Sequence, residues 1–290
     1  MNAMTDIVAV VPVREAGGRL VDDWRAVRVV WKRELIRFIR TPVRIAASLA
    51  QPILFLFVLG TGLSSMAGTQ TLGNVDFRTF MYPGILAMTV LFTSIFSAIS
   101  VVWDREFGFL REMLVAPVRR GSIVLGKCLG GATVATLQGT ILLLVAPLVH
   151  VPLSPALIIT LLFEMMLLAT ALTAFGLALA SRTHRMETFQ VVINFVALPL
   201  FFLSGALFPL NGLPTWLSLL TKLNPMSYAV DPMRRAVFSA LNVPSAVKAQ
   251  MNPGMTWGDW RVPTLVELAI VAAFGAVMLL VAIRQFSRTE

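Results

Sequence analysis

Six stretches of this chain stay apolar for about the 20 residues that a helix rising 1.5 Å per residue needs to cross a bilayer. They run over 43–63, 80–102, 122–149, 155–180, 189–209 and 264–284. Each is continuously apolar, without the alternation of a barrel strand, so helices are the spanning form that satisfies their backbone groups. With 57% hydrophobic and only 13% charged residues, the chain reads as an all-α polytopic membrane protein with six transmembrane helices. Pro52 lies inside the first crossing, where a missing N–H favours a kink.

The charges between these stretches set an orientation. Of the 24 Lys and Arg residues, 18 fall in the segment before residue 45, the 103–127 joint, the 181–190 turn and the C-terminal end. Six fall in the alternate connections: Arg78, Lys222, Arg234, Arg235, Lys248 and Arg261. The positive-inside rule then places both termini in the cytoplasm, in a multi-pass protein of the cell inner or plasma membrane. The net charge of +9 is therefore mainly a topology signal, and nucleic acid is not expected as a partner. VAVVPV near the start is too brief, and too soon broken by Pro12, for the apolar core of a cleavable signal. One cysteine, Cys128, and two histidines, His150 and His184, supply neither a disulfide framework nor a metal cluster. No catalytic constellation can be assembled at credible depth.

Two connections are unusual. Residues 22–40, DDWRAVRVVWKRELIRFIR, align Trp24, Val27, Trp31, Leu35 and Phe38 along one helical stripe. Asp22 or Asp23 can cap the start, and Pro42 marks the end. An amphipathic helix of this kind lies at the cytoplasmic interface with its tryptophans in the headgroup zone. The chain thus divides into a tail and interfacial helix, 1–42, and a transmembrane domain, 43–290. The outer connection 210–263 is too long for a turn. Pro214, Pro225 and Pro232 break its first part into short apolar pieces. Re-entrant helices entering from outside suit it, provided their broken ends face protein or water. Residues 241–262 read as an external loop or small cap.

The densest charge lies in WDREFGFLREMLVAPVRRGSIVLGK, 103–127. Asp104 can cap a short helix that Pro117 ends; Phe107, Leu110 and Leu114 then share one face, and Arg105, Glu106, Arg111 and Glu112 lie off it. Such a helix, joined rigidly to two crossings, is built like a lever on the cytoplasmic face. Its bland alternative is a solvated hairpin.

This joint resembles the cytoplasmic joint of ABC-2 type exporter permeases, particularly the daunorubicin/multidrug branch. YPGILAMTVLF at 82–92, LSGALFPLNGLPTWL at 203–217 and NPMSYAVDPMRR at 224–235 extend the resemblance, in order, over almost the whole chain. The resemblance implies a second permease copy or a close relative, and two copies of a separate ATP-binding subunit that carries the ATP and Mg. It makes 104–116 the coupling helix, with Asp104, Arg105, Glu106, Phe107, Leu110, Arg111, Glu112 and Leu114 toward the ATPase. Trp31, Lys32, Glu34 and Arg37 of the interfacial helix would lie beside it. Asn224, Pro225, Ser227 and Tyr228 would shape the re-entrant turn. Gly126-Lys127-Cys128 is not a phosphate loop, and GTGLSS at 60–65 is not a dinucleotide turn. No cofactor is therefore expected on this chain.

Glu164 falls near the middle of the fourth crossing, where charge is costly. It could line the path or relay protons; the plainer reading is a neutral or paired acid, joined to Gln138 or Asn194. Glu267 stands near the outer boundary and can snorkel outward. Gly130, Gly131 and Gly139 allow close approach of the third crossing. An exporter subunit for amphipathic, drug-like or lipid-like molecules fits best. A glycan or lipid-linked saccharide exporter is the nearest alternative. An ion-coupled secondary transporter would need an inverted repeat that is missing. In a Cys128→Ser background, cysteines at Ser65, Ser154 and Ser245 should react with an impermeant thiol reagent on intact cells, and those at Ser122 and Ser287 should not; the reverse pattern would overturn the orientation.

Overall fold

The computed structural model describes residues 20–67, 76–108, 119–209, 213–241, 244, 254–258 and 260–288. Helix α1 (Leu20–Ile39) precedes a first crossing made of α2 (Pro42–Leu54), a π turn (Phe55–Leu59) and α3 (Gly60–Ala67). The π turn begins three residues after Pro52, whose missing N–H leaves the helical ladder open to such a wide turn. Next come α4 (Phe77–Ser97), α5 (Ile99–Glu106), α6 (Arg120–Leu143), α7 (Pro155–Arg182) and α8 (Met186–Phe202). Two shorter helices, α9 (Thr215–Leu223) and α10 (Ser227–Ala240), lead to α11 (Thr264–Arg288). A hairpin of β1 (Thr256–Trp257) and β2 (Trp260–Arg261) is the exception to the all-helical expectation.

Among the described residues, four segments are long and apolar enough to cross a membrane: Ile45–Ser65, Phe77–Glu106, Pro155–Arg182 and Thr264–Ser287. Helix α8 is apolar but has 17 residues, short of the roughly 20 that a straight crossing needs. Helix α6 has 24 residues but carries glycines and charge along its first half.

Helix α4 is the axis of the bundle. Its residues from Thr79 to Leu91 are all buried, and α6, α7, α8 and α10 pack around it. Helix α11 packs along α7. A Cβ at Gly275 would lie 2.9 Å from Ala171 Cα, so these two crossings approach backbone to backbone. By contrast, Val191 and Phe195 on α8 are 70% and 81% exposed. In a membrane protein, such side chains meet apolar surroundings rather than water.

Helix α1 does more than lie at an interface: it packs along α6. A Cβ at Gly126 would stand 2.8 Å from Val30 Cβ and 2.9 Å from the Val27 carbonyl, and one at Gly130 would stand 2.8 Å from Glu34 Cβ. These two glycines, one turn apart, form the groove that seats α1. Trp31 then donates its indole N–H to Thr133 Oγ1 at 3.0 Å, while Trp24 is 66% exposed. The expected tryptophan belt is therefore split, one ring fixed on α6 and one outward.

Gly126→Val should overpack this groove and cost about 1–3 kcal/mol, seen as a lower unfolding temperature and faster proteolysis between α1 and α2. Gly62→Ala, where no atom lies within 4 Å of the added Cβ, serves as the control; equal behaviour of the two would show that α1 is not seated there.

Candidate coupling and translocation site

Asp104 does not open a new helix, as its capping role required. It lies in the last turn of α5, within the second long apolar segment, Phe77–Glu106. Its carboxylate accepts from Lys127 Nζ at 2.6 Å and from Arg33 at 3.1 Å. Lys127 also donates to Ser100 Oγ at 3.2 Å and stands 3.8 Å from Glu34, which Arg33 reaches at 3.4 Å. Two acids and two bases from α1, α5 and α6 thus form one cluster. The Lys127 side chain is 1% exposed, so a residue that counts toward the inside charge in sequence is in fact a buried structural cation. Its burial is tolerable because both carboxylates face it.

Arg105 and Glu106 are also held by this chain. The Arg105 guanidinium donates to the carbonyls of Ala180, Ser181 and Thr183, at 3.5, 3.1 and 2.9 Å, at the C-terminal end of α7. Glu106 accepts from the Met186 N–H at 3.3 Å, at the start of α8. A cation at one helix's C-terminus and an anion at another's N-terminus both match the helix dipoles. These side chains hold the joint to the crossings rather than projecting from it. Phe107 is 64% exposed and tilts against Trp103 at 5.6 Å between ring centroids; Gly108 follows at φ +81°. Leu110, Arg111, Glu112 and Leu114 lie outside the described residues. On α1, Lys32 is exposed and Arg37 lies over the Trp103 ring at 5.6 Å. Asp23 ties the start of α1 to α6, accepting from Ser122 Oγ at 3.1 Å and pairing with Arg119 at 3.4 Å.

At the opposite end, the Asn-Pro-Met-Ser-Tyr turn serves the end of α8. Asn224 donates to the Leu200 carbonyl at 2.7 Å and accepts from the Met226 N–H at 3.0 Å. Ser227 donates to the Leu203 carbonyl at 3.1 Å. Pro225 separates α9 from α10, and Tyr228 donates to the Lys222 carbonyl at 2.7 Å while accepting from the Trp257 indole at 3.0 Å. Nearby, Asp76 caps α4. Burial alone would raise its pKa, but bonds from Ser64 Oγ and from the Arg78 backbone and side chain outweigh this and hold it below the ordinary carboxylate value.

Sequence reasoning missed two groups here. Arg234, which looked like a loop charge, is buried; it donates to the Gly205 and Ala206 carbonyls and lies 4.3 Å from the Phe80 ring centre. Arg235 bridges Asp231 and Glu267, the latter at 3.0 Å. Glu267 is fully buried and does not snorkel outward, because its counter-ion lies inside. The sequence signal was an acid four residues before an arginine, Asp231 and Arg235, on one helix face.

The intramembrane trio does not assemble. Gln138 donates to Ser48 Oγ, Asn194 is exposed on α8, and Glu164 is buried on α7 with its Oε2 bonded to no described residue. Glu164 faces the helix core while Asn194 faces away from it, so the expected pairing is not made. Among the described residues, no group of three or more metal-ligating side chains gathers.

Long apolar helices packed around a buried central crossing, with charge concentrated at the joints between them, define a multi-pass α-helical membrane protein. Residues 25–238 match the family described as ABC-2 type transporter, and the chain belongs to that family. Its domain is the non-catalytic transport part of an ABC system. The chain is 32% identical over 209 residues to ycf38 of Cyanophora paradoxa, which carries the name of a transport permease, covering 71% of this chain and 72% of that one. It is 29% identical over 232 residues to Nodulation protein J of Rhizobium meliloti (strain 1021), covering 78% and 83%. YbhR of Escherichia coli (strain K12), named as a multidrug ABC transporter permease, is 31% identical over 160 residues, covering 54% and 43%.

Lys127→Met should leave Asp104 and Glu34 buried beside an apolar group and cost about 3–5 kcal/mol. Adding Asp104→Asn should recover part of the loss. Thermal unfolding of the purified variants checks both; a Lys127→Met protein as stable as the parent would mean that the cluster carries no structural load.

Proposed function

We propose that this chain is a permease subunit of an ATP-driven exporter that moves amphipathic, drug-like or lipid-like molecules outward across the inner or plasma membrane. It works as a pair of permeases, this chain with a second copy or close relative, above two copies of a separate ATPase that binds ATP and Mg. Both termini are cytoplasmic, and six segments cross.

The observation that carries this reading is the charge cluster of Arg33, Glu34, Asp104 and Lys127. It locks α1, α5 and α6 together where the chain enters residues 109–116, the remainder of the coupling segment. A push on that segment is then delivered to three elements at once, since buried ion pairs resist independent movement of their carriers. Arg105 and Glu106 extend the same grip to the ends of α7 and α8. Docking polarity falls mainly to Arg111 and Glu112, with Phe107 offering an exposed ring. In this reading Asn224, Pro225, Ser227 and Tyr228 belong to outer re-entrant helices that close the path. A glycan or lipid-linked saccharide cargo would use the same frame. Relatedness to a permease named for multidrug transport supports the drug-like choice.

Arg111→Glu and Phe107→Ala should each reduce substrate-stimulated ATP hydrolysis of the reconstituted complex several-fold, with normal membrane levels. Cysteines at 107–112 should cross-link to the ATPase in a nucleotide-dependent manner. Wild-type transport by both variants, with no cross-link in any state, would return the segment to a solvated hairpin.

A further inference from the structure

A cavity of about 250 Å³ lies between α1, α2, α4 and α6, bordering the charge cluster at Glu34 and Ser100. Its mouth is lined by Glu34, Arg37 and Thr41, at the level of the charge cluster. From Ser100 the lining continues up α4 to Thr89, a rise of about 17 Å at 1.5 Å per residue, close to half the hydrocarbon thickness. Phe38, Phe92 and Phe96 form aromatic walls, and Phe92 stacks on Phe96 with 20° between the rings. Hydroxyls of Thr41, Ser48, Thr89 and Ser97 donate to carbonyls of their own or the adjoining helical turn, so these polar names present mainly carbon to the space. Deeper in, Gln51 and Thr93 line the cavity beside Gln138.

The mouth has a definite charge. Glu34 is shared by Lys127 and Arg33, and Asp104 by the same two bases. Arg37 faces the Trp103 ring, and among the described residues no carboxylate lies within ion-pair distance of it. A narrow slot with aromatic walls, amide and hydroxyl groups at depth and one unneutralised guanidinium at the entrance has the make-up of a small-molecule site. Arginine at that position favours a planar or tetrahedral oxyanion.

We propose that this cavity is a loading site for amphipathic organic anions entering from the inner leaflet. The flat apolar body lies between Phe38, Phe92 and Phe96, a hydrogen-bonding end reaches Gln51 and Thr93, and the carboxylate, sulfonate or phosphate remains at Arg37. The proposal rests on the exporter function above, with α1 on the cytoplasmic side, and adds to it a preference in the sign of the substrate's charge.

Two matched probes test it on the purified full chain in phosphatidylcholine nanodiscs: pyrenebutyrate and its trimethylammonium counterpart, followed by tryptophan-to-pyrene energy transfer. The anion should saturate at one per chain and bind about tenfold more tightly than the cation, the scale of one charge-assisted contact. Arg37→Gln should remove that preference and Arg37→Lys retain most of it, while Thr93→Trp, which fills the slot, should weaken both probes. Equal affinity for the two probes, or anion binding indifferent to Thr93→Trp, would overturn the site. Transport by the complex with its ATPase is measured separately. Charge-selective binding without transport would count against export and uphold the site; transport without such binding would do the reverse.

Discussion

The last carbonyls of a helix have no partner within it, and a bilayer offers none. In this protein a side chain from another segment answers that demand at four helix ends. Tyr82 donates to Leu142 and Leu143 at the end of α6, and Arg105 to the last carbonyls of α7. Asn224 and Ser227 serve α8, and Arg120 reaches Phe286 and Ser287 at the end of α11. Each bond fixes the depth of one helix relative to another. The two arginines also place positive charge at the negative pole of the helix dipole. Motifs that look like independent features of the sequence, the charged joint and the Asn-Pro turn, are two solutions of this single problem.

The cluster around Lys127 answers a different need. Buried ion pairs add little net stability against apolar replacements, but they are intolerant of losing one member. They therefore specify an arrangement more than they strengthen it. Here the arrangement is the seating of α1 in the Gly126–Gly130 groove, with Glu34 of α1 and Asp104 of α5 turned to the same ammonium. The same geometry engages both carboxylates of the cluster and leaves Arg37, at the cavity mouth, without an ion-pair partner among the described residues. Mechanical rigidity and the charge of the entrance thus have one origin.

Much of this was legible in residue order, and the remainder for physical reasons was not. Apolar length predicts helices, and Pro155 to Arg182 and Thr264 to Arg288 begin and end close to the expected bounds. Period and proline spacing separate α9 from α10. Partnerships across the bundle are another matter. Lys127 and Arg234 count as boundary charges in sequence, because nothing local reveals that Asp104 lies 23 residues away in the chain yet 2.6 Å away in space, or that Phe80 lies beneath a guanidinium. Glu267 would face outward if Arg235 were not on the neighbouring helix. The pairing of Glu164 with Gln138 or Asn194 failed because helical phase along one crossing says which residues share a face, not which face meets which neighbour.

The helix-end bonds also have a direction in time. A ribosome delivers the chain from its N-terminus, so Tyr82, Arg105 and Arg120 are made before the carbonyls they will serve, and each waits in place when its helix arrives. Helix α8 is reversed: the Leu200 carbonyl precedes its donor Asn224 by 24 residues. That helix, already the shortest of the long apolar ones, keeps its C-terminal end unsatisfied until the following turn has been synthesised and has folded back on it. Of the four helices, α8 is thereby the one whose depth waits on residues made after it.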